Sequence, residues 1–257
     1  MYLLKIMSAP KKDLDEKYLS GIRNSTLFYP CSGGDLLEPI RLFSPFVTDF
    51  WFADRGYFRP GHQDTRRYGL DVPADKLPPV LGDDKSYRLL DTHIVGEPGW
   101  RQHSVHIPPC VLTETYEHIP SGCRISIHLR RGYALSTLRK EIRSLGVFFY
   151  RGDSEGEGGS GHYWLGSKQL AEILPMLVNG GLVVTDGSQG GPSNGQGQYS
   201  DLVRLHGKRP EKDGVDLVGK VRPFRDKAGR SFECIGQAGQ RYGPTLIWRV
   251  TRSADCD

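Results

Sequence analysis

The chain has few of the features that mark secreted, membrane-spanning or nucleic-acid-binding proteins. Only five of its 257 residues are cysteines, and no two have CxxC spacing. A chain of this length can bury a core without disulfides, so we expect reduced thiols in a cytoplasmic protein. Lys and Arg exceed Asp and Glu by only 34 to 30, so a nucleic-acid surface is not indicated. No run approaches the roughly 18 apolar residues that a membrane span needs, and the apolar start at 1–7 is too short for a secretory signal.

Strand and helix patterns alternate through most of the remaining sequence. They predict an α/β fold with a Rossmann-like, doubly wound and mostly parallel sheet in a single domain over residues 1–257. A C-terminal antiparallel hairpin is predicted from strands at 231–236 and 245–251. Residues 55–109 are rich in Pro, Asp and Arg and predict an irregular insertion or cap, with a short strand at 89–95. The other predicted elements are helices at 11–22, 36–43, 133–143 and 165–178, and strands at 25–30, 50–54, 124–129, 147–150 and 182–185.

Glycines and acids follow the predicted strands. Gly33 and Asp35 come after the first strand, Asp54 ends the second, and Asp186 follows the fifth. If the strands are parallel neighbours, right-handed crossovers place these ends along one edge of the sheet, where open α/β sheets bind ligands. The alternative is that they are ordinary turn residues, because Asp and Gly dominate turns.

The loop after the first strand has the composition of a nucleotide-binding loop. Asp54 lies about 20 residues beyond its glycine pair, a spacing that suits a carboxylate accepting hydrogen bonds from ribose hydroxyls. Cys31 is either a packing residue or a nucleophile, and packing is the favoured interpretation. The predicted cofactor-binding residues are Pro30, Cys31, Ser32, Gly33, Gly34, Asp35, Asp54 and Arg55.

A second loop, at 151–162, alternates acids with small residues. It is interpreted as a solvated loop, a site for a hard cation such as Mg²⁺ or a substrate-gating segment. We assign no metal, and no catalytic residue is identified. The candidate substrate-binding residues are Arg151, Gly152, Asp153, Ser154, Glu155, Glu157, His162 and Asp186.

The element order resembles that of class I S-adenosylmethionine-dependent methyltransferases. The resemblance rests on the glycine loop after the first strand, the acid that ends the second, the segment Leu-Pro-Met-Leu-Val-Asn-Gly-Gly-Leu-Val-Val-Thr-Asp at 174–186 and the terminal hairpin. It implies that the loop at 31–35 cradles the methionine part of the cofactor and that Asp54 holds the ribose. Two positions depart from the family. Tyr29 and Pro30 stand where an acid usually precedes the glycines, and Arg-Gly-Asp-Ser at 151–154 replaces an Asn- or Asp-Pro-Pro-aromatic motif.

Three functions are consistent with these patterns. The first is a methyltransferase-like enzyme that binds S-adenosylmethionine and acts on an unknown acceptor. The second is a metal-dependent enzyme acting on a phosphorylated small molecule. The third is a non-catalytic nucleotide-binding or interaction protein on a degenerate Rossmann-like scaffold. In each case the expected partner is a small-molecule ligand, and the patterns do not indicate an oligomeric state.

Overall fold

A computed structural model describes residues 14–58, 73–98, 108–151, 164–186, 198–203, 218, 221–240 and 244–252. The described residues contain ten strands and five short α-helices. The strands are β1 (Ser25–Pro30), β2 (Val47–Asp54), β3 (Tyr87–Gly96), β4 (Cys110–His118), β5 (Cys123–Arg131), β6 (Leu145–Tyr150), β7 (Leu177–Thr185), β8 (Phe224–Arg225), β9 (Ser231–Gln240) and β10 (Pro244–Thr251). The helices are α1 (Glu16–Ser20), α2 (Leu37–Phe43), α3 (Ala134–Glu141), α4 (Ser167–Ile173) and α5 (Ser200–Val203).

The chain divides into two compact units. The first unit comprises Leu19–Phe149 with Met176–Val178, and the second comprises Met1–Tyr18, Tyr150–Pro175 and Asn179–Asp257. None of the helices in the described part of the chain is long and apolar enough to cross a membrane.

The first unit is built on six strands in the order β3-β4-β5-β2-β1-β6. The strands β5, β2, β1 and β6 run parallel, whereas β4 is antiparallel to both β3 and β5. Successive side chains alternate between the two faces of the four parallel strands; one face is buried in all four, and β6 is buried on both. Leu27, Phe50 and Ile127 are each 0% exposed on that face, and Phe43 of α2 packs edge-on against Phe149 at 6.4 Å.

The second unit carries an antiparallel sheet. Its strands follow the order β7-β10-β9-β8, and β10 pairs antiparallel with both β7 and β9. The hairpin of β9 and β10 is the one that the sequence pattern predicts at 231–236 and 245–251. Trp248, at the centre of β10, is fully buried.

The predicted doubly wound, mostly parallel Rossmann-like sheet is wrong. Within the two units only three strand pairings are parallel and five are antiparallel, which makes the sheet mixed and mostly antiparallel. The reason lies in the connection from β2 to β5. Parallel strands are normally joined by a crossover helix, but in its described part this connection carries a 3₁₀ turn at Ala74–Lys76 and the antiparallel strands β3 and β4.

The predicted helix at 165–178 is too long. The α-helix ends at Ile173, a 3₁₀ turn follows at Leu174–Met176, and β7 begins at Leu177 and passes through the glycines at 180 and 181. Pro175 ends the α-helix because its ring excludes the preceding turn from helical hydrogen bonding. Gly180, at φ +81°, is accommodated within the strand.

Candidate functional site

The loop after β1 lies beside the end of β2. Parallel pairing sets Pro30 against Ala53, and the Cys31 N–H donates to the Ala53 carbonyl oxygen at 2.7 Å. Cys31 and Gly33 adopt left-handed backbone conformations, with φ of +56° and +53°. These two residues turn the chain sharply between β1 and α2, which brings residues 31–35 next to Asp54.

Asp54 joins the loops that follow three parallel strands. Its Oδ2 accepts a hydrogen bond from the Gly33 N–H at 3.1 Å, and its Oδ1 accepts one from the Gly56 N–H at 2.7 Å. Its backbone carbonyl accepts the Gly132 N–H at 3.1 Å, just beyond β5. The structure therefore brings together Asp54, the glycine loop and Gly132, the glycine that follows β5.

The buried side chain of Tyr57 forms hydrogen bonds with two residues of the loop. Its side chain is 0% exposed, and its hydroxyl donates to the Gly33 carbonyl oxygen at 3.0 Å. The Ser32 Oγ lies 2.5 Å from the same hydroxyl. Because the single phenolic proton goes to Gly33, Ser32 is the donor in that second bond. Burial, reinforced by the nearby Asp54 charge, raises the pKa of Tyr57 well above its ordinary value, so the phenol stays protonated.

Tyr29 is the penultimate residue of β1, just before the loop. Its side chain is fully buried, and its hydroxyl donates to the Asp35 Oδ2 at 2.9 Å. The hydrogen bond ties the last residue of the loop back to the strand from which the loop started. Tyr29 therefore orients the Asp35 carboxylate.

The other predicted loop residues surround this core of contacts. Pro30 and Ser32 are buried, whereas Gly34 and Arg55 are exposed. The guanidinium of Arg55 lies over the ring of Tyr133, 4.8 Å from the ring centroid, in an arrangement that favours cation–π attraction. Sequence reasoning did not find Tyr57 or Tyr133, since neither belongs to a motif and each joins the site only through the fold.

Most candidate residues of the second loop lie outside the described residues: Gly152, Asp153, Ser154, Glu155, Glu157 and His162. Arg151 and Asp186 are described and buried, with 4% and 1% of their surfaces exposed. Both belong to the second unit, whereas Asp54 belongs to the first. A shared edge for Asp54, Asp153 and Asp186 stays a prediction. Within the described ranges no group of three or more His, Cys, Asp or Glu side chains could hold a metal ion.

A second polar cluster lies on the opposite face of β2. Asp49 Oδ1 is 2.8 Å from His128 Nε2, and Thr113 Oγ1 is 2.9 Å from His128 Nδ1. Trp51 donates its Nε1–H to Asp49 Oδ2 at 2.9 Å and stacks on the His128 ring at 4.2 Å. These residues come from three adjacent strands, and their register opposite one another accounts for the contacts. Period-two alternation places Asp49 and Trp51 on one face, but their cross-strand partners were not foreseen.

The cluster around Asp49 is built as a closed polar network on a half-exposed sheet face. Its hydrogen bonds run between side chains of neighbouring strands, in the way that cross-strand pairs stabilise a sheet. The loop at 31–35, in contrast, gathers backbone N–H groups and glycines around one carboxylate. We therefore take the loop at 31–35 and Asp54 as the candidate functional site.

Comparisons with known proteins give no relative for this chain. A scan against protein-family models, a search of curated proteins and a search of solved structures each find no match.

Proposed function

We propose that the loop at 31–35 together with Asp54 binds the nucleoside part of a small-molecule cofactor, and that this cofactor is S-adenosylmethionine. The observation that carries the proposal is the position of the Asp54 carboxylate, which lies within hydrogen-bonding distance of the glycine-loop backbone at the ends of parallel strands. Ligands bind at that end of parallel strands in α/β proteins. The resemblance of the glycine loop and of the acid that ends the following strand to those of the methyltransferases supplies the identity of the cofactor.

The chemistry of Asp54 suits a ribose. A carboxylate has roughly four acceptor positions, so accepting the N–H groups of Gly33 and Gly56 is compatible with accepting ligand hydroxyls as well. The carboxylate is half-buried, which strengthens its hydrogen bonds relative to those in bulk water.

The glycines near Asp54 leave room for a ligand. Neither Gly33 nor Gly132 has any atom within 4 Å of the point where a Cβ would stand. Both have positive φ, at +53° and +145°. A side chain at either position would therefore be strained and would project into open space. Glycine at these positions lets a ligand approach the backbone closely.

The test is isothermal titration calorimetry of the full chain with S-adenosylhomocysteine and S-adenosylmethionine, comparing the natural sequence with Asp54→Asn. Loss of a hydrogen bond to a charged group costs about 1.5–3 kcal/mol, so Asp54→Asn is expected to weaken binding by roughly 10- to 100-fold. The matched control is Asp49→Asn, on the same strand but on the other face, which should leave affinity unchanged. No heat and no thermal shift with the natural sequence at millimolar ligand, or equal losses in both variants, would reject the proposal.

A non-catalytic binding protein is the second candidate, and the hydrogen bond from Tyr29 to Asp35 favours it. The bond engages Asp35, which is the only carboxylate of the loop at 31–35. Its donor, Tyr29, stands where the methyltransferases usually have an acid before the glycines. Ligand binding without formation of S-adenosylhomocysteine from S-adenosylmethionine, over a panel of amine, hydroxyl and carbon acceptors, would select this candidate.

A cytoplasmic location is part of the proposed function. It is supported by Cys31, Cys110, Cys123 and Cys234, none of which forms a disulfide.

A further inference from the structure

The strand β3 is the outermost strand of the first unit's sheet and is unusually exposed. It pairs with β4 along its whole length, from Tyr87 opposite His118 to Gly96 opposite Cys110. Eight of its ten residues are exposed, so both of its faces, and not only one, are open to solvent. Alternate N–H and C=O groups of such an edge strand point away from its neighbour and can pair with another strand.

Three of the eight exposed residues of β3 are large apolar side chains. Leu89, Leu90 and Val95 are 38%, 41% and 57% exposed, and they make up half of the six large apolar side chains that are exposed in the described residues. A fourth, Ile119, is 53% exposed and lies next to the start of β3, where its N–H donates to the Ser86 carbonyl at 2.9 Å. An apolar concentration of this kind marks an interaction surface.

The usual protections of an edge strand are incomplete in β3. It contains neither proline nor lysine, the residues that most often prevent edge pairing. It does have one bulge, between Leu89 and Asp91, one base, Arg88, which pairs with Glu117 of β4, and one acid, Asp91. An acid opposes pairing only if the incoming strand has no complementary group opposite it.

We propose that β3 pairs antiparallel with β3 of a second copy of this chain, about a two-fold axis through Thr92. In that register Asp91 lies opposite His93 of the partner subunit, and His93 lies opposite the partner's Asp91. Beyond this pair, Leu89 and Leu90 at the bulge lie near the partner's Ile94. Polar side chains thus face polar side chains, and apolar side chains face apolar ones, on both sides of the axis. Each contact occurs twice because the interface is isologous.

Geometry and charge select this register over its neighbours. In an antiparallel pair, directly opposite residues share a face of the sheet, so the axis must pass through the same residue in both copies. An axis through Asp91 would place two carboxylates directly opposite each other. An axis through His93 would place Asp91 against the apolar side chain of the partner's Val95. The axis through Thr92 gives each acid a polar partner and leaves no like charges facing each other.

The first test is sedimentation equilibrium of the full chain over a concentration series. The expected result is a reversible equilibrium between the 28.8 kDa chain and a species of twice that mass. Because pairing of single strands buries a small area, the dissociation constant should be on the order of micromolar or weaker. A chain that stays monomeric up to millimolar concentration would overturn the proposal.

A charge-swap cycle then tests the register. His93→Asp places two carboxylates opposite each other twice and is expected to raise the dissociation constant roughly tenfold or more, whereas Asp91→Lys removes the acid opposite the partner's His93 and is expected to raise it by less. The double variant places Lys opposite Asp twice and should return the dissociation constant to its original value or below. Thr251→Lys, at a half-buried strand position of the second unit, is the control for added charge and should have no effect. A dimer insensitive to both single changes would place the contact elsewhere and refute the pairing.

Discussion

The hydroxyl of Tyr57 is the hydrogen-bonding centre of the loop after β1, and removing it tests whether that loop is held from within. The Tyr57→Phe change keeps the ring and deletes one buried oxygen. The Ser32 hydroxyl, 2% exposed, then loses its acceptor at 2.5 Å, and the Gly33 carbonyl loses its donor at 3.0 Å. Leaving buried polar groups unsatisfied costs about 1–3 kcal/mol, so we expect the free energy of unfolding to fall by that amount.

Urea denaturation followed by circular dichroism measures this change, and a double-mutant cycle assigns it. Ser32→Ala removes the other member of the pair, so the two losses should overlap. The double variant should be about 1 kcal/mol more stable than the sum of the single changes predicts. Tyr133→Phe, at a tyrosine that is 58% exposed, is the matched control and should alter stability by less than about 0.5 kcal/mol. If Tyr57→Phe is equally silent, or the cycle is additive, the loop is not organised by this hydroxyl.

Two further changes test the core of the first unit. Burial raises the pKa of Glu114 above its ordinary value of 4.5, against hydrogen bonds from Tyr116 and the Val80 N–H. A group with a raised folded-state pKa contributes stability that is fully present below the unfolded value and is lost as pH rises through the folded value, so the stability advantage over Glu114→Gln should shrink as pH rises from the ordinary value of 4.5 through the raised one in urea titrations. An advantage that grows with pH would contradict this. Gly146→Ala would place a Cβ 1.8 Å from Ser25 Oγ and 2.6 Å from its Cβ, so a loss of about 1–3 kcal/mol is expected from thermal or urea unfolding. Ser25→Ala should recover only part of that loss, and complete recovery or no initial loss would refute the steric argument.

Local sequence patterns predicted the individual elements of the parallel strands well. The strand at 25–30 matches β1, and those at 50–54 and 147–150 fall within β2 and β6. Each of these segments is apolar and β-prone and is bounded by turn residues, so the local signal and the final burial agree. All six residues of β6 are buried, as expected for a strand in the parallel part of a sheet.

The strand that sequence reasoning missed decided the architecture. The β4 segment, Cys-Val-Leu-Thr-Glu-Thr-Tyr-Glu-His, alternates buried and half-buried residues, but its buried face includes Glu114, which reads as a solvent-facing residue. Glu114 is 2% exposed. Its burial is tolerated because it accepts hydrogen bonds from the Val80 N–H at 2.9 Å and the Tyr116 hydroxyl at 2.5 Å. Val80 is remote in sequence, so no local pattern could reveal that this acid belongs to the core. Without β4 the hairpin was invisible and the parallel arrangement was overestimated.

The residues of the candidate site also divide into those that the sequence predicts and those that only the fold brings together. Asp54 and the glycines were predicted because their spacing along the chain is itself the signal. Tyr57 was not, because it reaches the loop only through the closure of the turn after β2. The hydrogen bond from Tyr29 to Asp35 was not predicted either, because no local pattern pairs a buried strand tyrosine with an acid six residues further along the chain. The geometry of a site made by strand ends is set by the register of the strands, which the sequence encodes non-locally.

The two proposals for the first unit concern different parts of one sheet, and this separation makes them independent. In the order β3-β4-β5-β2, three strand spacings lie between β3 and β2, a distance of about 14 Å. Pairing at the outer edge of β3 therefore leaves the loops around Asp54 uncovered. Ligand binding needs the parallel strands β1, β2 and β5, whereas self-association needs only the free edge that the hairpin of β3 and β4 creates. The antiparallel hairpin of β3 and β4, which makes the fold differ from a mostly parallel sheet, thus supplies the surface proposed for self-association. A failure to dimerise would therefore not count against ligand binding at Asp54.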